Sequence, residues 1–293
     1  MILVTGSAGK TGRAVLQALL AKGKTVRALV HRPEQIPLIT SLGVQEVLVG
    51  DLRNQLDLDE ACDRIQAVYH ICPNVCPDED VIGQSVINTA QSARVEHFVF
   101  HSVLHPQTEE MPHHWKKLRV EEQLIQSSLP FTILQPAVYM QNILAHWETI
   151  YDTGVYPVPY PEETRLSFVD LQDVAHAAAI VLTEPDHQNA IYELVGTYGL
   201  SQSEVTGILS QILKRPVRIK VITLSEWESQ AQSTGMGEYQ IETLSRMFSY
   251  YEQFGLSGNP KVLHLLLQRP PTSFEGFIET TARQRLQKVN TRM

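Results

Sequence analysis

Apolar and polar positions alternate between two periods along this chain. Short apolar runs, the length of a buried strand, are followed repeatedly by stretches whose apolar residues recur at helical spacing. Ile2-Leu-Val-Thr-Gly-Ser-Ala-Gly-Lys-Thr-Gly12 opens as a strand buried on both faces. Thr11 to Ala21 then sets Ala14, Val15, Ala18 and Leu19 on one helical stripe. Lys22-Gly23-Lys24 stops that helix, and Thr25 to His31 reads as a second strand. Val44 to Gly50 is a third and Gln66 to Cys72 a fourth, with the helix-like Leu56 to Ile65 between them. Val81 to Ala93 is a helix and Val95 to Val103 a fifth strand. A helix opens at His113 and continues through Val120, Leu124 and Ile125, and Leu129 to Pro136 is a sixth strand that closes the core sheet. Alternation of strand and helix predicts an α/β fold with a doubly wound parallel sheet.

Beyond residue 136 the pattern changes. Ala137 to Thr164 is rich in Tyr, Pro and Trp, with Tyr139, Met140, Asn142, Trp147, Tyr151, Tyr156 and Tyr160. Such a segment either helps roof a substrate cleft or packs an accessory domain. Ser201-Gln-Ser-Glu204 and Ser225-Glu-Trp-Glu228 have the spacing of capping boxes and predict two helices around the strand-like Val217 to Thr223. Tyr239 to Phe254 and Ser273 to Leu286 add two more, the latter after Pro270-Pro271.

With 293 residues the chain can bury a full core and carry a smaller appendage. A net charge of −8 argues against a broad nucleic-acid surface, so nucleic acid is not an expected partner. No apolar stretch is long enough to span a bilayer, and a strand starting at residue 2 leaves no room for a signal peptide; a cytoplasmic protein without membrane partners is expected. Cys62, Cys72 and Cys76 read as reduced thiols, since Cys-x-x-x-Cys is not the usual redox or zinc hook, and Cys72 suits the role of a small residue filling a strand end. His101, His105, His113 and His114, even with Glu109, Glu110 and Cys76, fit no compact zinc pattern, and no metal is expected.

The candidate chemistry gathers at the ends of the strands. Gly6 permits a sharp turn, Gly9 lets a pyrophosphate approach the backbone, and Gly12 lets the helix pack closely; free N–H groups at the helix start face the anion. Ser7, Lys10 and Thr11 complete this loop. About 20 residues beyond the glycines, where an acidic residue would hold the ribose of NAD, stand His31 and Arg32. A guanidinium there suits a 2′-phosphate, with Lys10 as a second cation, so NADP is expected over NAD. The alternative for Arg32 is a solvated loop charge before Pro33. Asp51, followed by Leu52, either meets the adenine amino group or caps a helix. Cys72-Pro73 ends the fourth strand, where backbone atoms would touch the cofactor ribose.

Several of these segments together resemble the NmrA-like branch of atypical short-chain dehydrogenases. They are Gly6 to Gly12, Val26 to Val30 with Arg32, Gly50-Asp51-Leu52, Lys117-x-x-Val120-Glu121, and Leu129 to Pro136 with Asn142. Ser167-Phe-Val-Asp170-x-x-Asp173-Val-Ala175 resembles the strand-to-helix element of the same superfamily, and Tyr192 to Gly196 its next strand. The resemblance implies a Rossmann core over 1–136, with 166–196 returning to it, and a smaller, mainly C-terminal α+β substrate domain made of 137–165 and 197–293. It implies that Asp170 and Asp173 cap and orient a helix. The NADP(H)-binding set then comprises Gly6, Ser7, Gly9, Lys10, Thr11, Gly12, His31, Arg32, Asp51, Leu52, Cys72, Pro73, His101, Lys117 and Pro136. The branch includes NADPH-binding redox sensors and quinone reductases.

One departure matters. Standard short-chain dehydrogenases place a tyrosine four residues before a lysine, but here that position is His113 before Lys117, and no tyrosine lies between Ser102 and Lys117. The expected catalytic set is therefore Lys117 orienting the nicotinamide ribose, Ser102 at the serine position, and His113 as a proton donor or merely a polar helix start. Two functions follow from the resemblance. One is hydride transfer from NADPH to a quinone-like or other electron-poor small molecule; the other is an NADP(H) sensor without turnover. A monomer or homodimer suits either.

Overall fold

The computed structural model describes residues 1–290. They form two compact units: Met1–Pro136 with Val174–Leu194, and Ala137–Asp173 with the chain from Val195 onward. The first unit is built on β1 (Ile2–Val4), β2 (Val26–Val30), β3 (Glu46–Val49), β4 (Ala67–His70), β5 (His97–His101) and β6 (Phe131–Pro136). Their order across the sheet is 3-2-1-4-5-6, and Ala190–Leu194 adds a seventh strand outside β6. Every pairing is parallel. This is the doubly wound Rossmann arrangement, in which strand order reverses between β1 and β4 and opens a crevice beyond their carboxyl ends.

Burial explains why these runs are strands. Leu3 and Val4 are fully enclosed and all five residues of β2 are buried, as central parallel strands covered on both faces require. The first helix, α1 (Lys10–Ala21), turns Ala14, Val15, Ala18 and Leu19 inward. Each fully buried Val or Leu contributes roughly 1.5–3 kcal/mol, so Leu19→Ala is the kind of single change that would loosen α1, at about 2–5 kcal/mol. The helices Glu79–Ser92 and Pro112–Gln126 meet where Gly83 faces Val120. A Cβ on Gly83 would lie 2.6 Å from Val120 Cγ2, so that close approach depends on the missing side chain.

The sheet extends beyond β6, where the sequence pattern closed it, and the last strand starts and ends two residues earlier than the Tyr192–Gly196 expectation. Gly196 is drawn away because its N–H donates to the carbonyl of Phe168 in the second unit. That pull also explains the narrower return segment, Val174–Leu194 in place of 166–196: Phe168–Val169 pairs in parallel with Val138–Tyr139, inside the second unit.

The second unit holds two further short ladders, Arg165–Leu166 antiparallel to Leu200–Ser201, and Val155–Val158 parallel to Arg218–Val221. The helices Gln202–Leu213, Leu224–Ser233, Glu238–Phe254, Lys261–Leu267 and Phe274–Asn290 complete it. Ser201 and Glu204 form a capping box as expected, but the second box is Thr223 with Glu226, not Ser225 with Glu228. Thr223 has the extended backbone an N-cap needs and stands two residues after the strand, while Glu228 accepts instead from Ser245 Oγ at 2.7 Å. Asp170 behaves as a cap, accepting from the N–H of Gln172 at 2.9 Å. Asp173 does not: its buried carboxylate takes Arg269 Nη2 at 2.5 Å and the N–H of Thr272 at 2.6 Å, which ties down the Arg269–Thr272 segment.

The aromatic residues after 136 largely pack this unit. Trp147 and Tyr156 are buried, Tyr160 meets Phe248 and Tyr251 ring to ring at 6.0 and 6.4 Å, and Tyr151 lies beneath the Arg285 guanidinium at 4.0 Å. Among the described residues, no helix is long and apolar enough to cross a membrane.

Candidate functional site

The glycine loop lies at the strand-order reversal. Gly6 has φ +58°, and a Cβ there would lie 2.7 Å from Ile71 Cγ2 and 2.9 Å from its carbonyl oxygen, so both backbone shape and the neighbouring β4 segment require glycine. Gly12 packs against the loop itself: an added Cβ would press on Gly6 O and stand 2.7 Å from Ser7 Cα. Gly9 differs from both. It is the N-cap of α1 with an ordinary φ of −71°, and an added Cβ would meet only Gly6 O at 3.2 Å. The fold demands glycine less strictly here than at Gly6 or Gly12, since Gly6 O would have to give by only a few tenths of an ångström, and the bare position leaves backbone exposed at the start of a helix whose first N–H groups have no intrahelical acceptor.

Around this loop the side chains sort into supports and exposed basic residues. Ser7 is buried and donates its hydroxyl to Val4 O at 2.6 Å, which makes it part of the turn. Thr5, which the sequence reading passed over, joins β1 to β4. Its hydroxyl donates to Ile71 O at 3.1 Å, accepts from the Ile71 N–H at 3.0 Å, and stands 3.0 Å from His70 Nδ1. Lys10, His31 and Arg32 are exposed. The backbone N–H groups of His31 and Arg32 both donate to Gln35 Oε1, at 3.1 and 3.0 Å, which fixes the turn after β2 and leaves both side chains outward. Since β1 and β2 are paired in register, their carboxyl-end loops are neighbours.

Asp51, half-buried beyond β3, is not the helix cap. Asn54 is, with Oδ1 accepting from Leu56 N–H, while Asp51 accepts from Arg53 N–H at 2.9 Å and donates its own N–H to Asp57. Leu52 packs partly against the core. Cys72 is buried and Pro73 exposed.

Beyond β5 lies a buried polar network. Lys117, from the Pro112–Gln126 helix, donates to Glu79 Oε1 at 2.5 Å and to His101 O at 3.3 Å, with 15% of the lysine side chain and 1% of the glutamate's exposed. Its ammonium also stands 5.6 Å from the Phe100 ring centre. Ser102 is enclosed and donates to Glu121, whose carboxylate also takes Gln135 Nε2 at 3.0 Å. His101 is likewise enclosed, with Nδ1 2.5 Å from Tyr69 OH. The buried Pro136 accepts the Leu104 N–H at 2.9 Å. Ser102 is therefore a buried partner of Glu121, not a hydroxyl held out to solvent. Burial raises Glu121 above the usual carboxylate range, against the pull of Ser102, Gln135 and Lys117.

His113 corrects an expectation. Burial, with the Lys117 charge adding to it, pushes its imidazole down to about 4, so it is neutral at pH 7 and not the acid a free histidine would be. Its ring stands edge-on to His114 at 4.5 Å. Glu79, Gln135 and Thr5 were not singled out in the sequence, and Glu121 stood there only within the segment that carries the family resemblance. Glu79 precedes the helix expected from Val81, which in fact starts at Glu79, and its partner lies 38 residues further on.

Comparison with known proteins agrees with this architecture. The NmrA-like family profile matches residues 1–291. An NAD(P)H azoreductase of Xenophilus azovorans is 29% identical over 283 residues, covering 96% of this chain and 98% of that protein. A (4-alkanoyl-5-oxo-2,5-dihydrofuran-3-yl)methyl phosphate reductase of Streptomyces griseus is 32% identical over 224 residues, 75% of this chain and 76% of its own. In fold, the chain superimposes on the Escherichia coli NADPH-dependent quinone oxidoreductase complexed with NADPH, with a TM-score of 0.84 at 22% identity over 96% of this chain and 99% of that one. With its profile matched from end to end and its strand order that of a dinucleotide fold, this chain belongs to the NmrA-like family.

Proposed function

We propose that this protein is an NADPH-dependent reductase that delivers hydride to an electron-poor small molecule such as a quinone or an azo compound. The observation that carries the reading is the bare glycine loop at the strand-order reversal, flanked by Lys10 and Arg32: at Gly9, where α1 starts, the backbone is exposed and no side chain covers it. The residues present fit a dinucleotide. Backbone at Gly9 to Gly12 would receive the pyrophosphate, and Arg32 with Lys10 or His31 the 2′-phosphate. Asp51 is available to the adenine, and Ile71 to Pro73 would line the ribose with backbone atoms. Two relatives named as reductases, one for azo compounds, support the same class of chemistry.

When bound, NADPH supplies the hydride. What this chain contributes is alignment. Lys117, held by Glu79 and His101 O, would have one N–H left to offer a ribose hydroxyl. A neutral His113 gives no proton at pH 7, so the acceptor takes its proton from water after the hydride arrives, which quinone and azo acceptors tolerate.

Anaerobic NADPH oxidation with a panel of quinones and azo dyes tests the reading. Saturable turnover with at least one acceptor, and a preference for NADPH over NADH, is the expected result. Tight NADPH binding with no turnover on any acceptor would replace it with the sensor reading.

A further inference from the structure

The loops after β3 and β4 leave the same edge of the sheet with the ends of β2 and β1 between them, and Arg53 joins the two. Each runs into a helix on one face of the sheet. Leu58 and Ala61 of Gln55–Cys62 share a core with Ile82 and Val86 of Glu79–Ser92, and Gln55 Nε2 donates to Thr89 Oγ1 at 2.8 Å. Arg53 shortly precedes the first of these helices, and Asp78 stands at the N-cap position of the second. The guanidinium donates from Nε and Nη2 to Asp78 Oδ2, at 3.2 and 3.0 Å; Nη2 also stands 3.6 Å from Cys76 Sγ, and Nη1 lies 3.9 Å from Asp51 Oδ1. The backbone N–H of Arg53 donates to that same Asp51 oxygen at 2.9 Å. Asp51 in turn donates its own N–H to Asp57 Oδ2 at 2.7 Å, and Gly50 makes room for this, since a Cβ there would lie 2.8 Å from Asp57 Cβ. Asp51 is thus held through backbone and side chain, while its second oxygen, Oδ2, takes no bond among the described residues.

We propose that Arg53 is the positioning residue for the purine end of the dinucleotide: it fixes the Asp51 carboxylate with Oδ2 open, ties it to the loop after β4, and so makes this end of the crevice selective for a 6-aminopurine. This role rests on the cofactor reading above, in which Asp51 meets the adenine. An amino group at C6 of a purine brings N–H donors to a carboxylate oxygen that has no other partner. A carbonyl at C6 would set one acceptor against another and leave both unpaired. Selection of this kind requires that the carboxylate cannot turn away, because a site that can rearrange its polar groups pays little for the wrong base.

Exposure separates this arginine from one that serves the fold. The Arg53 and Asp78 side chains are 49% and 52% exposed, and an ion pair so open to water adds little to folding. Arg27 is the contrast within the same unit: with 10% of its side chain exposed it bonds to Glu46 on β3 and to the carbonyls of Ala61 and Asp63 at 2.9 and 2.8 Å, and it binds strands to a helix end. The partners of Arg53 lie instead on the two loops that border the crevice. A guanidinium donates within its plane along several edges, so one rigid group holds both loops at once, which the point charge of a lysine would not do.

The test is fluorescence titration of the full-length protein with NADPH, NADH and the NADPH analogue in which hypoxanthine replaces adenine. The wild type should bind NADPH about tenfold or more tighter than the analogue, the value of one hydrogen bond to a charged group. Arg53→Gln should bring those two affinities together by weakening NADPH, while its urea midpoint and its preference between NADPH and NADH stay those of the wild type. Asp78→Asn leaves Arg53 beside Asp51 but weakens its anchor, and should lower the ratio of NADPH to analogue part of the way. A wild type that binds NADPH and the analogue equally overturns the proposal. So does an Arg53→Gln variant that keeps the wild-type ratio, whether or not its affinities fall, because Arg53 would then be a structural tie. Should Arg53→Gln fail to fold, an unchanged ratio in Asp78→Asn overturns it in the same way. A wild type that binds none of the three would strike the cofactor reading instead.

Discussion

The carboxyl ends of β1 and β2 and those of β4 and β5 belong to one edge of one sheet, but their side chains are treated in opposite ways. Beyond β1 and β2 the backbone at Gly9 is bare, and Lys10, His31 and Arg32 reach into solvent. Beyond β4 and β5 the polar groups are enclosed and bonded to one another: Lys117 to Glu79, Ser102 to Glu121, His101 to Tyr69. The difference suits what each end would hold. A phosphate brings its own charge and needs donors and cations with room to approach, which costs the empty protein little stability. A nicotinamide ribose needs a fixed direction, and a buried network supplies fixed directions because every member is held by the others.

The largest effect separates two glycines three residues apart. Gly9→Val requires Gly6 O, 3.2 Å from the added Cβ, to give by a few tenths of an ångström, a smaller demand than at Gly12; the variant should still fold and should lose detectable NADPH binding. Gly12→Val should instead lower stability by about 1–3 kcal/mol or more, because its Cβ meets loop backbone that cannot yield. Circular dichroism, urea unfolding and fluorescence titration of both variants check this. Undiminished binding by a folded Gly9→Val would remove the open end from the comparison.

Next is the enclosed end. Lys117→Met strands the Glu79 carboxylate in the interior, and breaking a buried pair this way costs about 3–5 kcal/mol. Adding Glu79→Gln should restore most of that stability but not turnover, because the ribose-directing ammonium is still missing. If the double variant turned over like the wild type, Lys117 would be a structural residue only.

A smaller and more selective loss is expected at Arg32→Ala. Its guanidinium makes no bond the fold requires, so stability should hold while NADPH affinity falls roughly tenfold or more, the value of a charge-assisted hydrogen bond, and NADH affinity stays unchanged. Equal losses for both cofactors would move 2′-phosphate recognition to Lys10 or His31.

The open end was legible in the sequence, and the reason is locality. Gly6, Gly9 and Gly12 act within seven consecutive residues, and Arg32 follows one helix and one strand later, so spacing alone carries their relation. The enclosed end was legible only as a set of names. Lys117 and Glu121 stand in one segment that carries the family resemblance, but the partner of Lys117, Glu79, comes from another helix, and the partners of Glu121, Ser102 and Gln135, come from the ends of two strands. The same limit left Asp51 open between an adenine contact and a cap, where Asn54 is the true cap, and left the aromatic residues after Ala137 open between roofing a cleft and packing a domain, where several pack their own unit. Titration behaviour is the least local property of all, and His113 shows it.

The smallest catalytic effect is therefore expected at His113→Phe, with a larger one on acid stability. In the folded protein the imidazoles of His70 and His101 are pushed down to about 3 and those of His97 and His113 to about 4, in each case mainly by burial. Unfolding returns each to about 6.5. Below that pH the unfolded chain takes up protons that the folded one refuses, so stability is full above about 6.5 and falls as pH drops towards 4. His113→Phe removes one of these groups, so urea unfolding at pH 7.5 and pH 5 should show a smaller acid loss for the variant than for the wild type. Quinone or dye reduction at pH 7 should stay within about twofold, because a neutral imidazole was not delivering the proton. A wild-type kcat/KM profile with a protonated group required near 6.5, absent in His113→Phe, would show instead that the bound state lifts the His113 imidazole back to neutrality and uses it as the acid.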